Sequence, residues 1–146
     1  MAGGSTLKKN YSTGSLQLNH PGDYDGGGFI GYIAEFSGVP FVLADNFSTG
    51  SYVDNDGLYG VGPDYFGGLI GLTYKTATDT VENNHFYNTA VSTCTGASSP
   101  DKPTCSSVNG DAVFQSPTHP VYTRASNTWD FTNIWQSVAG SLPVLR

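Results

Sequence analysis

The chain has 146 residues and a formal net charge of −6, with 12% charged and 13% aromatic residues. That length fits one domain with a buried core, but the charged fraction is about half the roughly 25% of ordinary soluble domains. The composition excludes a helical bundle or coiled coil, which would be rich in Glu, Lys, Leu and Ala. It excludes a charged disordered tail, and the acidic balance excludes nucleic acid as a partner, since binding there needs Lys and Arg to displace counterions.

The six basic residues (Lys8, Lys9, Lys75, Lys102, Arg124 and Arg146) form no stripe. No run approaches the ~20 apolar residues of a membrane helix, so membrane insertion is not expected. Residues 1–6 read as an appended leader or an excised boundary, against the alternative of a natural cytosolic start.

The chain repeats itself. Asn10-Tyr11-Ser12-Thr13-Gly14-Ser15 recurs as Asn46-Phe47-Ser48-Thr49-Gly50-Ser51, and Gly27-Gly28-Phe29-Ile30-Gly31 recurs as Gly67-Gly68-Leu69-Ile70-Gly71. A decayed third copy of the first block reads as Tyr87-Asn88-Thr89-Ala90. Within each repeat, short β-branched and aromatic runs bounded by Gly predict strands: Phe29 to Ile33, Leu69 to Tyr74, and Val39 to Phe47. No stretch sustains a helical apolar period. One such repeat cannot bury its apolar side alone, so repeat must stack on repeat. The expected fold is therefore all-β, a β-solenoid-like stack of short strands with Phe29, Ile33, Phe47, Leu69 and Ile70 inside. A small sandwich or jelly roll explains the turns but not the copied text.

Cys94 and Cys105 bracket a polar stretch with two prolines that reads as a loop. A disulfide across it would close a ring of about a dozen residues and contribute roughly 3 kcal/mol. This spacing suits a bridge better than a zinc site, which wants four ligands; two unrelated free thiols are the other reading. A bridge implies an oxidising, extracellular setting. The last third ends in Trp129-Asp130-Phe131, Ile134-Trp135 and Leu142-Pro143-Val144-Leu145. Asp130 and Thr132 alternate with Trp129 and Phe131 as on a half-buried strand. Trp129, Phe131 and Trp135 are thus expected in an aromatic C-terminal cap over the last unit, with a carbohydrate-binding platform as the alternative. The expected organisation is one domain over 1–146, with 92–146 as cystine loop and cap.

Gly28-Phe29-Ile30-Gly31 and Gly68-Leu69-Ile70-Gly71 resemble the GLUG motif of bacterial surface and secreted proteins. Tyr11-Ser12-Thr13-Gly14 and Phe47-Ser48-Thr49-Gly50 resemble the aromatic-x-Thr-Gly block that accompanies it, and the chain's ending is similar to the segment that closes such arrays. The resemblance covers residues 10–91 and 127–146. It implies a right-handed β-helix of the kind found in adhesins and other large cell-surface chains. Such arrays usually hold more than two full repeats, so the chain reads as either complete or a C-terminal piece.

For chemistry, Asp54-Asn55-Asp56-Gly57 offers oxygen ligands at alternate positions, making Asp54 and Asp56 candidate Ca²⁺ ligands; a solvated turn is the plainer reading. Asp23-Tyr24-Asp25-Gly26 is a poorer copy. No cofactor is otherwise expected. His20, His85 and His119 are scattered, and no hydrolase or metalloenzyme motif is present. Asp45, Asp79, Glu82 and Asp130 show no spacing that pairs them for glycosidase chemistry. The chain is therefore expected not to be an enzyme, a carbohydrate-active enzyme being the least favoured alternative. Asn10 and Asn46 head formal glycosylation sequons but read as structural Asn stacked between repeats. The expected function is an extracellular structural or adhesive module at a bacterial cell surface, a stalk or display surface binding a glycan or protein. The alternative is a filament subunit whose partner is itself, with Asn10–Leu18 meeting the Trp129–Leu145 region of a neighbour.

Overall fold

The copied blocks become paired strands. The computed structural model describes residues 4–18, 25–33, 39–54, 65–73, 78–87, 91–98, 105–126 and 128–146. The first repeat supplies β1 (Thr6–Lys8), β2 (Tyr11–Ser12), β3 (Leu16–Leu18), β4 (Asp25–Gly27) and β5 (Ile30–Ile33). The second supplies, in the same order, β6 (Val42–Ala44), β7 (Phe47–Ser48), β8 (Tyr52–Asp54), β9 (Tyr65–Gly67) and β10 (Ile70–Thr73). Each pairs with its counterpart in parallel, so that Leu7 is beside Leu43, Tyr11 beside Phe47 and Ile30 beside Ile70. A third set follows: β11 (Thr80–Glu82) joins β6, β12 (His85–Phe86) joins β7, and β13 (Thr95–Ser98) joins β10. Finally β14 (Ser106–Ser107) pairs with β12.

The chain is thus mostly sheet, but the expected closed β-helix does not form. The described strands fall into six separate sheets of two to four strands, one of them antiparallel, with no closed solenoid among the described residues. The physical reason lies in the corners. Strands of two to four residues end where Lys9, Asp45 and Asn83 take left-handed φ values of 60°, 57° and 50°, so each strand ladder breaks at the corner and the contact between repeats passes to the Asn side chains there. Asp45 therefore splits the predicted strand from Val39 to Phe47 into β6 and β7. From Asp111 onward the chain leaves the repeat. It forms a 3-10 turn (Asp111–Gln115), one turn of helix, α1 (Pro120–Thr123), and a small antiparallel pair of β15 (Trp135–Gln136) with β16 (Val144–Leu145).

Register is set by asparagine. Asn46 is fully buried and its Oδ1 accepts the Asn10 backbone N–H at 3.0 Å. The Asn84 Oδ1 accepts the Asn46 N–H, also at 3.0 Å. The Asn46 Nδ2 donates to the carbonyls of Leu7 and Ala44, and the Asn84 Nδ2 donates to Leu43 O at 2.8 Å. Each side chain thus satisfies corner backbone groups that would otherwise be buried unpaired. The ladder spacing is 36 residues from Asn10 to Asn46 and 38 from Asn46 to Asn84. His85, not Tyr87, is consequently the third-repeat partner of Phe47. The predicted third copy was two residues out of register because it aligned on the aromatic instead of the Asn before it.

The glycines of the Gly-Gly-apolar-Ile-Gly block sit where backbones touch. A Cβ on Gly67 would overlap the Ile70 carbonyl and lie 2.6 Å from Cys94 O, which is closer than any real contact. Beside this tight strand the core holds Ile33, Phe41, Leu43, Leu69, Ile70 and Phe86, with Phe29 partly buried against it. Of the residues expected inside, Ile33, Leu69 and Ile70 lie here and Phe47 in a second, aromatic cluster.

Cys94 and Cys105 are bonded, with Cα atoms 5.6 Å apart. The stretch between them is not simply a loop. Thr95–Ser98 is β13, with Cys94 at the position Leu69 holds one repeat earlier and Cys105 at the position of Asn84. The bridge therefore ends both the apolar column and the Asn ladder, and its two cysteines pack against the core.

Replacing Asn46 with Ala leaves the Asn10 N–H and the Leu7 and Ala44 carbonyls without this partner. At about 1–3 kcal/mol per buried unsatisfied group, urea denaturation should show a loss of several kcal/mol. Asn10→Ala, at the half-buried rim, should cost clearly less.

Candidate functional site

The outward side chains of β2, β7 and β12 form a column of Tyr11, Phe47 and His85. The C-terminal third lies along this column rather than over an end of the array. Tyr11 stacks on Phe47 at 5.0 Å between ring centroids, and Phe114 from the 3-10 turn stacks on Phe47 at 4.3 Å. Tyr122 meets Phe47 edge-on at 5.7 Å, and Trp129 packs against Tyr122 at 4.9 Å. Trp129 is buried and its Nε1–H donates to the Asp45 carbonyl. Phe131 and Trp135 are half-buried at the margin, Trp135 tilted against Trp129 at 4.6 Å and against Tyr11 at 5.9 Å. The aromatic cap is thus a lateral seam. The expected strand through Trp129 and Phe131 is replaced by a turn, because the Asp130 carboxylate accepts the N–H groups of Thr132 and Asn133.

Charge holds the same seam. Arg124, just past α1, donates through Nε and Nη2 to the two Asp45 carboxylate oxygens at 2.8 and 2.7 Å, and its Nη1 lies 2.6 Å from Glu82 Oε1. The Asp45 side chain is fully buried. The hydrogen bonds that Arg124 donates to Asp45 are the main reason its guanidinium is held above its ordinary pKa. Asn83 bridges the parts, its Nδ2 donating to Asp45 Oδ1 and to Pro120 O. Asp45 and Glu82, which no sequence spacing linked, are brought together by a cation 79 residues away from Asp45.

His85 and His119 face each other across the seam with ring centroids 4.7 Å apart, edge to face. His119 caps α1, its Nδ1 accepting the Val121 N–H. The buried His85 ring lies 3.1 Å from Asn83 Oδ1 through Nε2, which assigns the proton there and leaves Nδ1 without a hydrogen-bond partner among the described residues. Burial first, and His119 second, lower the His85 pKa to about 4, against a smaller opposing pull from Asp45. Burial also lowers that of His119.

The repeat-motif positions meet their counterparts in the neighbouring repeat. Thr49 donates its N–H to Ser12 O beside Thr13, and a Cβ on Gly50 would overlap the Gly14 carbonyl. Gly28, Phe29, Ile30 and Gly31 pair with Gly68, Leu69, Ile70 and Gly71 across β5 and β10. Asp54 ends β8, while Asp56 lies outside the described residues, as does His20. Among the described residues no three His, Cys, Asp or Glu side chains come together as a metal-ligand set. Tyr11 Oη donates to Pro143 O at 2.7 Å, so the two stretches expected to meet between neighbouring chains already meet within one. Compared with known protein families, curated proteins and solved structures, the chain matches none.

Sequence reasoning missed the Asp45–Arg124–Glu82 cluster and the histidine pair. The available signal was the residue before each ladder Asn: Lys9, Asp45 and Asn83 align once Asn10, Asn46 and Asn84 are superimposed.

Both histidines are neutral in the folded protein and charge more readily when unfolded, so the unfolded state binds more protons. Stability should be fully present above the unfolded pKa near 6.5 and decline as pH falls toward about 4. The thermal midpoint should therefore drop between pH 7 and pH 5, before most carboxylates titrate. His85→Phe, which extends the aromatic column, should flatten that dependence.

Proposed function

We propose that this chain is an extracellular structural and adhesive module of a bacterial surface protein, working as a stalk or display surface without catalysis. The observation that carries this reading is the disulfide between Cys94 and Cys105, built into the end of the repeat array. Such bridges persist in oxidising surroundings outside the cytoplasm. The conspicuous buried polar groups support a structural role as well: Asn46 and Asn84 hold register, and Asp45 with Arg124 fastens the tail. The resemblance of Gly28–Gly31 and Gly68–Gly71 to the GLUG motif points to bacterial surface proteins.

Adhesion would use the outer surface, where Ile134 and Leu145 are 51% and 67% exposed beside the half-buried Trp135. The purified chain, tested on glycan arrays and immobilised surface proteins, should bind a saturable ligand. Ile134→Asp should weaken that binding about tenfold or more while leaving the far-UV circular dichroism unchanged. A chain that binds nothing and cleaves a polysaccharide would overturn the reading. Reducing the bridge should lower stability by roughly 3 kcal/mol, measurable by urea denaturation with and without reductant.

A self-assembling filament subunit is the second reading. It is favoured by the parallel strand edges that the outermost strands present.

A further inference from the structure

The Asn ladder is unfinished at one end. Asn84 Oδ1 accepts from Asn46 N–H and Asn46 Oδ1 accepts from Asn10 N–H, but among the described residues no N–H donates to Asn10 Oδ1. The donor side of the same amide lacks one of its ladder bonds as well. The side chains of Asn46 and Asn84 reach back to carbonyls of the preceding repeat, Leu7 O and Leu43 O. Asn10 Nδ2 keeps the bond to the carbonyl two residues back, Lys8 O at 2.6 Å, as Asn46 Nδ2 does to Ala44 O, but among the described residues it has no carbonyl of a preceding repeat to reach. The outer edges of β1 and β2 carry no partner strand among the described residues. In a parallel ladder alternate residues bond to opposite sides. Phe47 N–H donates to Asn10 O and Thr49 N–H to Ser12 O, so the Tyr11 N–H and C=O point to the open side.

We infer that the β1–β2 edge is an acceptor for one more strand of this repeat's own kind: a polypeptide segment of another chain carrying Asp-Asn-aromatic-Ser, added in parallel register. The site continues an interface the chain already makes twice, β2 with β7 and β7 with β12. The incoming segment would stand to the first repeat as the first stands to the second. Its Asn N–H would then donate to Asn10 Oδ1. Its Asp N–H would donate to Lys8 O, as Lys9 N–H donates to Ala44 O and Asp45 N–H to Glu82 O. Charge fits the same register. The corner residue on the open edge is Lys9, and the Asp of the incoming segment would sit one strand spacing away, about 4.8 Å. Main-chain pairing supplies the affinity and the Asn and Asp supply selectivity, which is the logic of strand addition to a sheet edge. The inference goes beyond the proposed role and does not depend on where the chain resides.

The probe is a blocked synthetic peptide with the sequence of residues 41–50, Phe-Val-Leu-Ala-Asp-Asn-Phe-Ser-Thr-Gly, titrated into the full isotope-labelled chain. Saturable amide shifts at Lys8, Lys9, Asn10, Tyr11 and Ser12, absent with a scrambled peptide, are expected. Asn10→Ala should weaken binding about tenfold while the remaining spectrum stays folded. Lys9→Glu is the second variant, independent of the ladder amide. It should weaken binding, and added salt should narrow its difference from the unchanged chain. The proposal is overturned if millimolar peptide shifts no β1–β2 amide, if the scrambled peptide binds equally, if the shifts map to β14 instead, or if neither substitution changes the affinity. Any of those results would leave the proposed adhesive role standing, since that is read by glycan or protein binding and its loss in Ile134→Asp.

Discussion

The stacked asparagines at the left-handed corners are the constraint on which the other features of the described structure depend. At each corner the chain turns from one short strand into the next, leaving buried backbone polar groups that the ladder cannot pair. A single Asn amide per repeat answers this by accepting an N–H from the repeat before and donating to that repeat's carbonyl. Because the side chain reaches both ways at fixed length, it ties successive strands to one register. Sliding by one residue would unpair the amide and also turn the apolar residues outward. The pairing of Leu43 with Leu7 and Val81, and of Ile30 with Ile70, follows from that register.

The two ends of the ladder are chemically different. Where a fourth Asn would stand, Cys105 takes its place and is tied covalently to Cys94, which itself occupies the column of Phe29 and Leu69. A covalent bond replaces the hydrogen bonds of the next repeat. At the opposite end Asn10 keeps an acceptor without a donor among the described residues. Among the described residues the two ends thus differ, one tied by sulfur and the other presenting the unpaired edge of β1 and β2.

The tail is held by a different kind of force. Aromatic rings from residues 111–135 lie across Tyr11, Phe47 and His85, adding contact area along three repeats at once. The ion pair of Arg124 with the buried Asp45 gives that apolar contact a single orientation. Its planar fork meets both carboxylate oxygens, and loss of either partner would strand a charge away from water. A repeat array fastened along one flank in this way suits the proposed role of a stiff surface module. Its least insulated point is the His85–His119 pair, where a proton would have to enter an apolar seam that already holds Arg124.

Much of this was legible in the residues alone. The copied blocks told which strands would be neighbours, because similar text presents similar pairing faces. The Cys-flanked stretch pointed to the bridge, and the sequon asparagines were readable as structural, since duplication alone accounts for them. Those conclusions rest on local pattern, and local pattern is carried by the sequence. What the tertiary structure decided was of longer range. The third repeat's register followed Asn84 rather than an aromatic, because a buried amide tolerates no slip whereas Tyr87 and His85 both suit an aromatic column. Separate small sheets replaced a closed helix, because left-handed corners at Lys9, Asp45 and Asn83 end the strand ladders and hand the pairing to side-chain amides, and a left-handed φ at Lys9 carries no clear mark in sequence. The union of Asp45 with Arg124, and the lateral placement of Trp129, depend on how the tail folds back. A contact between residues so far apart is made by packing the whole chain, and no spacing along it records the meeting.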